Sequence, residues 1–67
     1  MELNDIRETL VYIDGHKKVD PEQAHATEDK LHVEVLYDIA NGVCPDPQRY
    51  ARQALKTREI DFPRWYS

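Results

Sequence analysis

Sixty-seven residues make one domain near the lower limit for independent folding, with room for only a thin core. The lone Cys44 excludes an internal disulfide framework, and no stretch approaches the roughly 18 apolar residues of a membrane helix. The net charge of −4 conceals a polarity: residues 1–46 carry eleven acids against four bases, or −7, and residues 47–67 five bases against two acids, or +3.

The first segment has two readings. Leu3, Ile6, Leu10 and Ile13 follow the 3, 4, 3 spacing of one helical face, with Asn4 as cap and Gly15 as stop. The rival reading takes Thr9 to Ile13 as a strand turning through Asp14-Gly15 into Lys17-Lys18-Val19. An isolated hairpin is marginal, so the helix is preferred.

The second segment carries the clearest signals. Asp20-Pro21-Glu22-Gln23 reads as N-cap, proline at the first helical position and capping-box glutamine, with Thr27-Glu28-Asp29 as a second possible start. The helix runs through Leu31, Val35, Leu36 and Ile39 to a stop at Asn41-Gly42. At about 100° per residue, Leu31, His32, Val33, Val35, Leu36, Tyr37, Ile39 and Ala40 fill roughly two-thirds of the circumference. A surface helix needs about 100° of apolar face, so this one must be contacted from more than one direction.

Val43 to Pro47 is a loop from which Asp46 caps a third helix with Pro47 in its first turn. Tyr50, Ala51, Ala54 and Leu55 share one side of it, and Arg49, Arg52 and Lys56 line the other, up to an end near Thr57. The chain closes on Ile60-Asp61-Phe62-Pro63 and Arg64-Trp65-Tyr66-Ser67, an aromatic tail that serves either as a cover for the core or as an interface patch. The expected fold is therefore all-α: a single domain over residues 1–67 with three helices and an aromatic C-terminal tail, the N-terminal hairpin being the alternative.

The chemical signals are sparse. His25, Asp29 and His32 share a face if the helix starts at Asp20, but their spacing is no recognised zinc signature, so no metal and no cofactor is assigned. Cys44 sits between Val43 and Pro45 with no helix N-terminus directly after it, and it reads as a small hydrophobe rather than a nucleophile. A chain this short has little room for a substrate cleft, and an enzyme is not expected. The row Arg49, Arg52, Lys56 supplies the alternative function, a helix-loop-helix DNA-binding regulator. Against it stand the acidic total, a loop longer than the usual turn, and few groups for base readout beyond Gln48 and Gln53.

The stretch Leu31-His32-Val33-Glu34-Val35-Leu36-Tyr37-Asp38-Ile39-Ala40-Asn41-Gly42, then Ala54-Leu55-Lys56 and Ile60-Asp61-Phe62-Pro63-Arg64-Trp65-Tyr66, resembles the C-terminal part of small uncharacterised proteins encoded by bacteriophages and prophages. The resemblance covers a little over half the chain and contains no functional motif. It implies a protein that binds a host protein, in defence or transcription machinery, as inhibitor or adaptor.

The leading expectation is thus a protein-binding module in a bacterial host cytoplasm, consistent with the acid-bearing start Met1 to Asp14, which reads as no signal peptide. Glu22, Glu28, Asp29, Glu34 and Asp38 would steer it to a basic protein surface, with Trp65 and Tyr66 as anchors and Arg64 in the same exposed partner-binding patch. The broad apolar arc further predicts a homodimer. No membrane partner is expected.

Overall fold

The computed structural model describes residues 1–64 and contains three helices, α1 (Leu3–His16), α2 (Pro21–Ala40) and α3 (Pro47–Ala54), followed by a 3₁₀ turn (Leu55–Glu59) and an extended segment. No strand occurs among the described residues. Trp65 and Tyr66 lie outside them, so the aromatic end of the expected tail is not part of the described fold.

The N-terminal hairpin does not form. A helix gathers Ile6 and Ile13, both fully buried, with half-buried Leu3 and Leu10 onto one side, where α2 covers them. A strand of period two would send Leu10 and Ile13 to opposite faces with no third strand to cover either. Thr9 and Val11 are tolerated because the Thr9 hydroxyl donates to the Asp5 carbonyl (2.8 Å) and Val11 points to solvent. Glu2, not Asn4, holds the cap position, and its N–H donates to the Asp5 carboxylate at 2.8 Å. Gly15 does not stop the helix, which continues through it to His16.

α2 starts at the first of its two candidate sites. The Asp20 carboxylate accepts from the Gln23 N–H at 3.1 Å, and Pro21 occupies the first turn, where no intrahelical N–H partner is needed. Gln23 does not complete the capping box; its side-chain amide donates to Thr27 instead (3.3 Å). At the far end, the Val43 N–H donates to the Asp38 carbonyl (3.0 Å) and the Gly42 N–H to the Ile39 carbonyl (3.1 Å). This Schellman pair of bonds requires a left-handed residue, and Gly42 sits at φ 71°.

α3 is capped by Asp46, whose carboxylate accepts from the Arg49 N–H at 3.3 Å, with Pro47 again in the first turn. Past Ala54 the coil tightens to 3₁₀ geometry and ends where the Ile60 N–H donates to the Thr57 carbonyl (3.1 Å).

The core has two centres. Ile6, Leu31, Val35, Tyr50 and Ala54 join all three helices, and Ile13, Ala24 and Phe62 close the other end of α1 and α2. Phe62 therefore covers the core, as one reading of the tail expects. It does so beside Ala24 in the first turns of α2, not on the over-apolar second half of that helix.

Candidate protein-docking surface

α2 has two apolar faces, and the fold uses one. Ala24, Glu28, Leu31 and Val35 recur at spacings of four, three and four and are all buried. Val33, Leu36, Tyr37 and Ala40 project from the opposite side at the C-terminal half of the same helix. Val33 is 48% exposed, and Leu36 and Tyr37 are each 64% exposed. Among the described residues, the arc predicted to need contacts from several directions is covered from the inner side.

The exposed residues form a strip with shaped flanks. Val33, Leu36, Tyr37 and Ala40 border one shallow depression. On the α3 side, Leu36 is also the lip of a groove of about 300 Å³ between α2 and α3, whose wall includes Ile39, Ala51 and Leu55. Leu55, the first residue of the 3₁₀ turn, is 58% exposed although Tyr50 and Ala54 in α3 are buried. On the α1 side, Tyr37 borders a second depression lined by Asp5, Glu34 and Asp38. Within that acidic seam the Met1 ammonium lies 3.2 Å from Asp38, and Lys30 approaches Glu34 at 3.9 Å.

The basic row turns away from the groove between α2 and α3, Arg49 lying about 160° around α3 from the groove-lining Ala51. Gln48, Ala51 and Leu55 separate the buried side of α3 from Arg49, Arg52 and Lys56, all three exposed. None of the three takes part in an ion pair among the described residues; in particular, Glu34 and Asp38 pair elsewhere.

The steering carboxylates expected from the sequence divide into three groups. Glu22 and Asp29 are exposed, Glu34 and Asp38 are half-buried at the seam, and Glu28 is inside, only 2% exposed. The expectation that Glu28 faces a partner is corrected, and so is the expectation that Arg64 belongs to an exposed patch. Arg64 Nε donates to Glu28 Oε1 at 2.8 Å and Nη2 to Oε2 at 3.1 Å, a two-point pair. Nη2 also donates to the carbonyls of Thr57 (2.7 Å) and Ile60 (2.9 Å), and the guanidinium sits 4.0 Å above the Phe62 ring. A single side chain thus ties the C-terminal segment to the middle of α2, in a chain with no disulfide to do so.

Burial pushes the Glu28 carboxyl up, but the hydrogen bonds from Arg64 and Thr57, with the Arg64 and His32 charges, outweigh it and hold the group below its ordinary value. The network continues outward: His32 Nε2 lies 3.0 Å from the Thr57 hydroxyl and 3.2 Å from the Ala54 carbonyl. From the sequence alone, Glu28 reads as a surface carboxylate steering the chain to a basic partner. The available signal was its place in the series Ala24, Glu28, Leu31, Val35, where a carboxylate inside an apolar stripe demands a buried cation.

The three residues considered for metal do not converge. His25 and Asp29 approach to 3.5 Å, but His32 turns away to Thr57 and Ala54. Glu28 takes its place beside His25 and Asp29, with both carboxylate oxygens already engaged by Arg64. Cys44 is half-buried and packs against the first core centre, as a small hydrophobe does. No helix is long and apolar enough to cross a membrane among the described residues.

Comparison of the chain with protein-family models, with curated proteins and with solved structures finds no match. The reading of the surface therefore rests on its own chemistry.

Proposed function

We propose that this chain works as a protein-binding module, with the outer face of α2 and the adjoining groove as its docking surface. The observation that carries the reading is the exposed row Val33, Leu36, Tyr37 and Leu55, which borders two adjoining apolar depressions that share Leu36. Keeping four large apolar side chains in water has no structural return, and a contiguous patch of this kind marks a contact surface. Tyr37 and Leu36 are its anchors, and Glu34 and Asp38 form a charged rim that sets orientation and encounter rate. Inhibition or adaptation of a host protein is the role that the phage-protein resemblance would give such a surface.

A photo-crosslinking residue placed at Tyr37 tests the reading, with one at Val19, exposed and away from the face, as control. Irradiation in a bacterial lysate and as pure protein should give a discrete protein adduct from position 37 and none from position 19. Equal labelling at both positions, or none at 37, would overturn it.

A second reading, nucleic-acid binding, has one observation of its own: Arg49, Arg52 and Lys56 are exposed and enter no ion pair among the described residues. Titration with duplex DNA at two salt concentrations tests it. Three phosphate contacts predict a slope of log K against log salt of about −2.7, and the absence of binding at low salt would remove it.

A further inference from the structure

Beside the Arg64–Glu28 pair stands a group of side chains that the docking surface does not use. His25, Glu28 and Asp29 occupy positions i, i+3 and i+4 of α2, and one ligand atom from each lies within 4.8 Å of the other two. Glu28 is accounted for by Arg64. His25 is not: it is only 9% exposed, and an imidazole so far inside ordinarily finds a hydrogen bond. Here it faces the two carboxylates instead, with Nε2 at 3.5 Å from Asp29 Oδ1 and no closer partner among the described residues. That separation is long for a hydrogen bond. It is close to the roughly 3.4 Å between two ligands of a tetrahedral zinc ion with bonds of about 2.0–2.1 Å.

We propose that His25, Glu28 and Asp29 form a latent site for a zinc-class divalent cation, and that the Arg64 guanidinium keeps it closed by holding the Glu28 carboxylate. One imidazole nitrogen and two carboxylate oxygens are a zinc donor set, with the fourth position left to water. His32 is not that fourth ligand, because its Nε2 is turned to Thr57 and Ala54. Arg64 covers both Glu28 oxygens, at 2.8 and 3.1 Å, so metal and guanidinium compete for one carboxylate. Two cations at a carboxylate that is 2% exposed would repel with little water between them, and one excludes the other.

The contest favours Arg64 in the intact chain. The guanidinium also holds the carbonyls of Thr57 and Ile60 and stacks on Phe62, and all of these contacts are lost when it leaves Glu28. Zinc affinity is therefore reduced by the fraction of molecules in which Arg64 has withdrawn. Linkage makes the coupling reciprocal: whatever draws the C-terminal segment off α2 opens the site, and zinc on the three ligands favours the detached segment by the same factor.

Calorimetric titration of zinc chloride into the full chain near neutral pH tests the exchange. Arg64→Gln should bind one zinc per chain at least about 100-fold more tightly than the native chain, the factor set by the lower end of the cost of breaking a buried ion pair. His25→Ala in the same background should abolish the gain. Where Arg64→Gln does not fold unaided, circular dichroism carries the same test, because zinc must then restore its helix and must fail to do so in the double variant. Equal zinc affinity with and without Arg64, a gain that survives the loss of His25, or an unfolded Arg64→Gln chain in which zinc restores no helix overturns the proposal.

Discussion

Replacement of Arg64 by alanine is the most informative single perturbation of the fold. It removes two charge-assisted bonds to a carboxylate that is 2% exposed, two bonds to the Thr57 and Ile60 carbonyls, and the stacking on Phe62. Water cannot easily replace these partners at Glu28, so the cost is that of orphaning a buried charge, about 3–5 kcal/mol. A 67-residue domain has a total stability of about 3–10 kcal/mol on the usual per-residue scale, so the variant should lose from about a third to all of its stability. Urea titration followed by circular dichroism at fixed protein concentration measures the loss. The pH dependence supplies an independent check. In the native protein the Glu28 pKa is lowered, so its contribution is complete above the ordinary glutamate value and is lost as pH falls through the lowered folded value. Without Arg64, burial dominates and the folded pKa rises, which reverses the sign: the variant is penalised above the ordinary value and relieved below it. The gap between native protein and variant should therefore narrow on going from neutral pH to about pH 4. A loss under about 1 kcal/mol, or a gap independent of pH, would refute the assignment of Glu28–Arg64 as the link that secures the C-terminal segment.

The two glycines should respond with opposite signs. Gly42→Ala forces a side chain into φ 71° and should cost about 1 kcal/mol, although no atom stands in its way; Gly15→Ala, inside α1 with open space around it, should gain about 0.5–1 kcal/mol by thermal melting. Asp20→Ala and Asp46→Ala each remove a carboxylate that accepts from the first turn, and each should cost about 1 kcal/mol, with asparagine restoring most of it. Zinc and chelator should leave the melting temperature unmoved, because Arg64 occupies both Glu28 oxygens beside His25 and Asp29; a zinc-dependent rise of several degrees would reopen that cluster as a metal centre.

Much of this protein was legible along the chain because local rules produced it. Asp20-Pro21 and Asp46-Pro47 act as helix starts through bonds spanning three residues, Asn41-Gly42 acts as a stop through a left-handed glycine, and the 3, 4, 3 spacing of Leu3, Ile6, Leu10 and Ile13 marks a buried face. The excess apolar arc of α2 was equally visible, since it depends only on residue type and helical period. What lay beyond the sequence depended on pairings across long separations. Glu28 and Arg64 are 36 residues apart and His32 and Thr57 are 25 apart, so no local pattern could show that the carboxylate turns inward and the guanidinium follows it. Nor could the sequence decide which side of α2 the core would take. That choice was made by the packing of Ile6 and Tyr50 against Leu31 and Val35, which left Leu36 and Tyr37 in water.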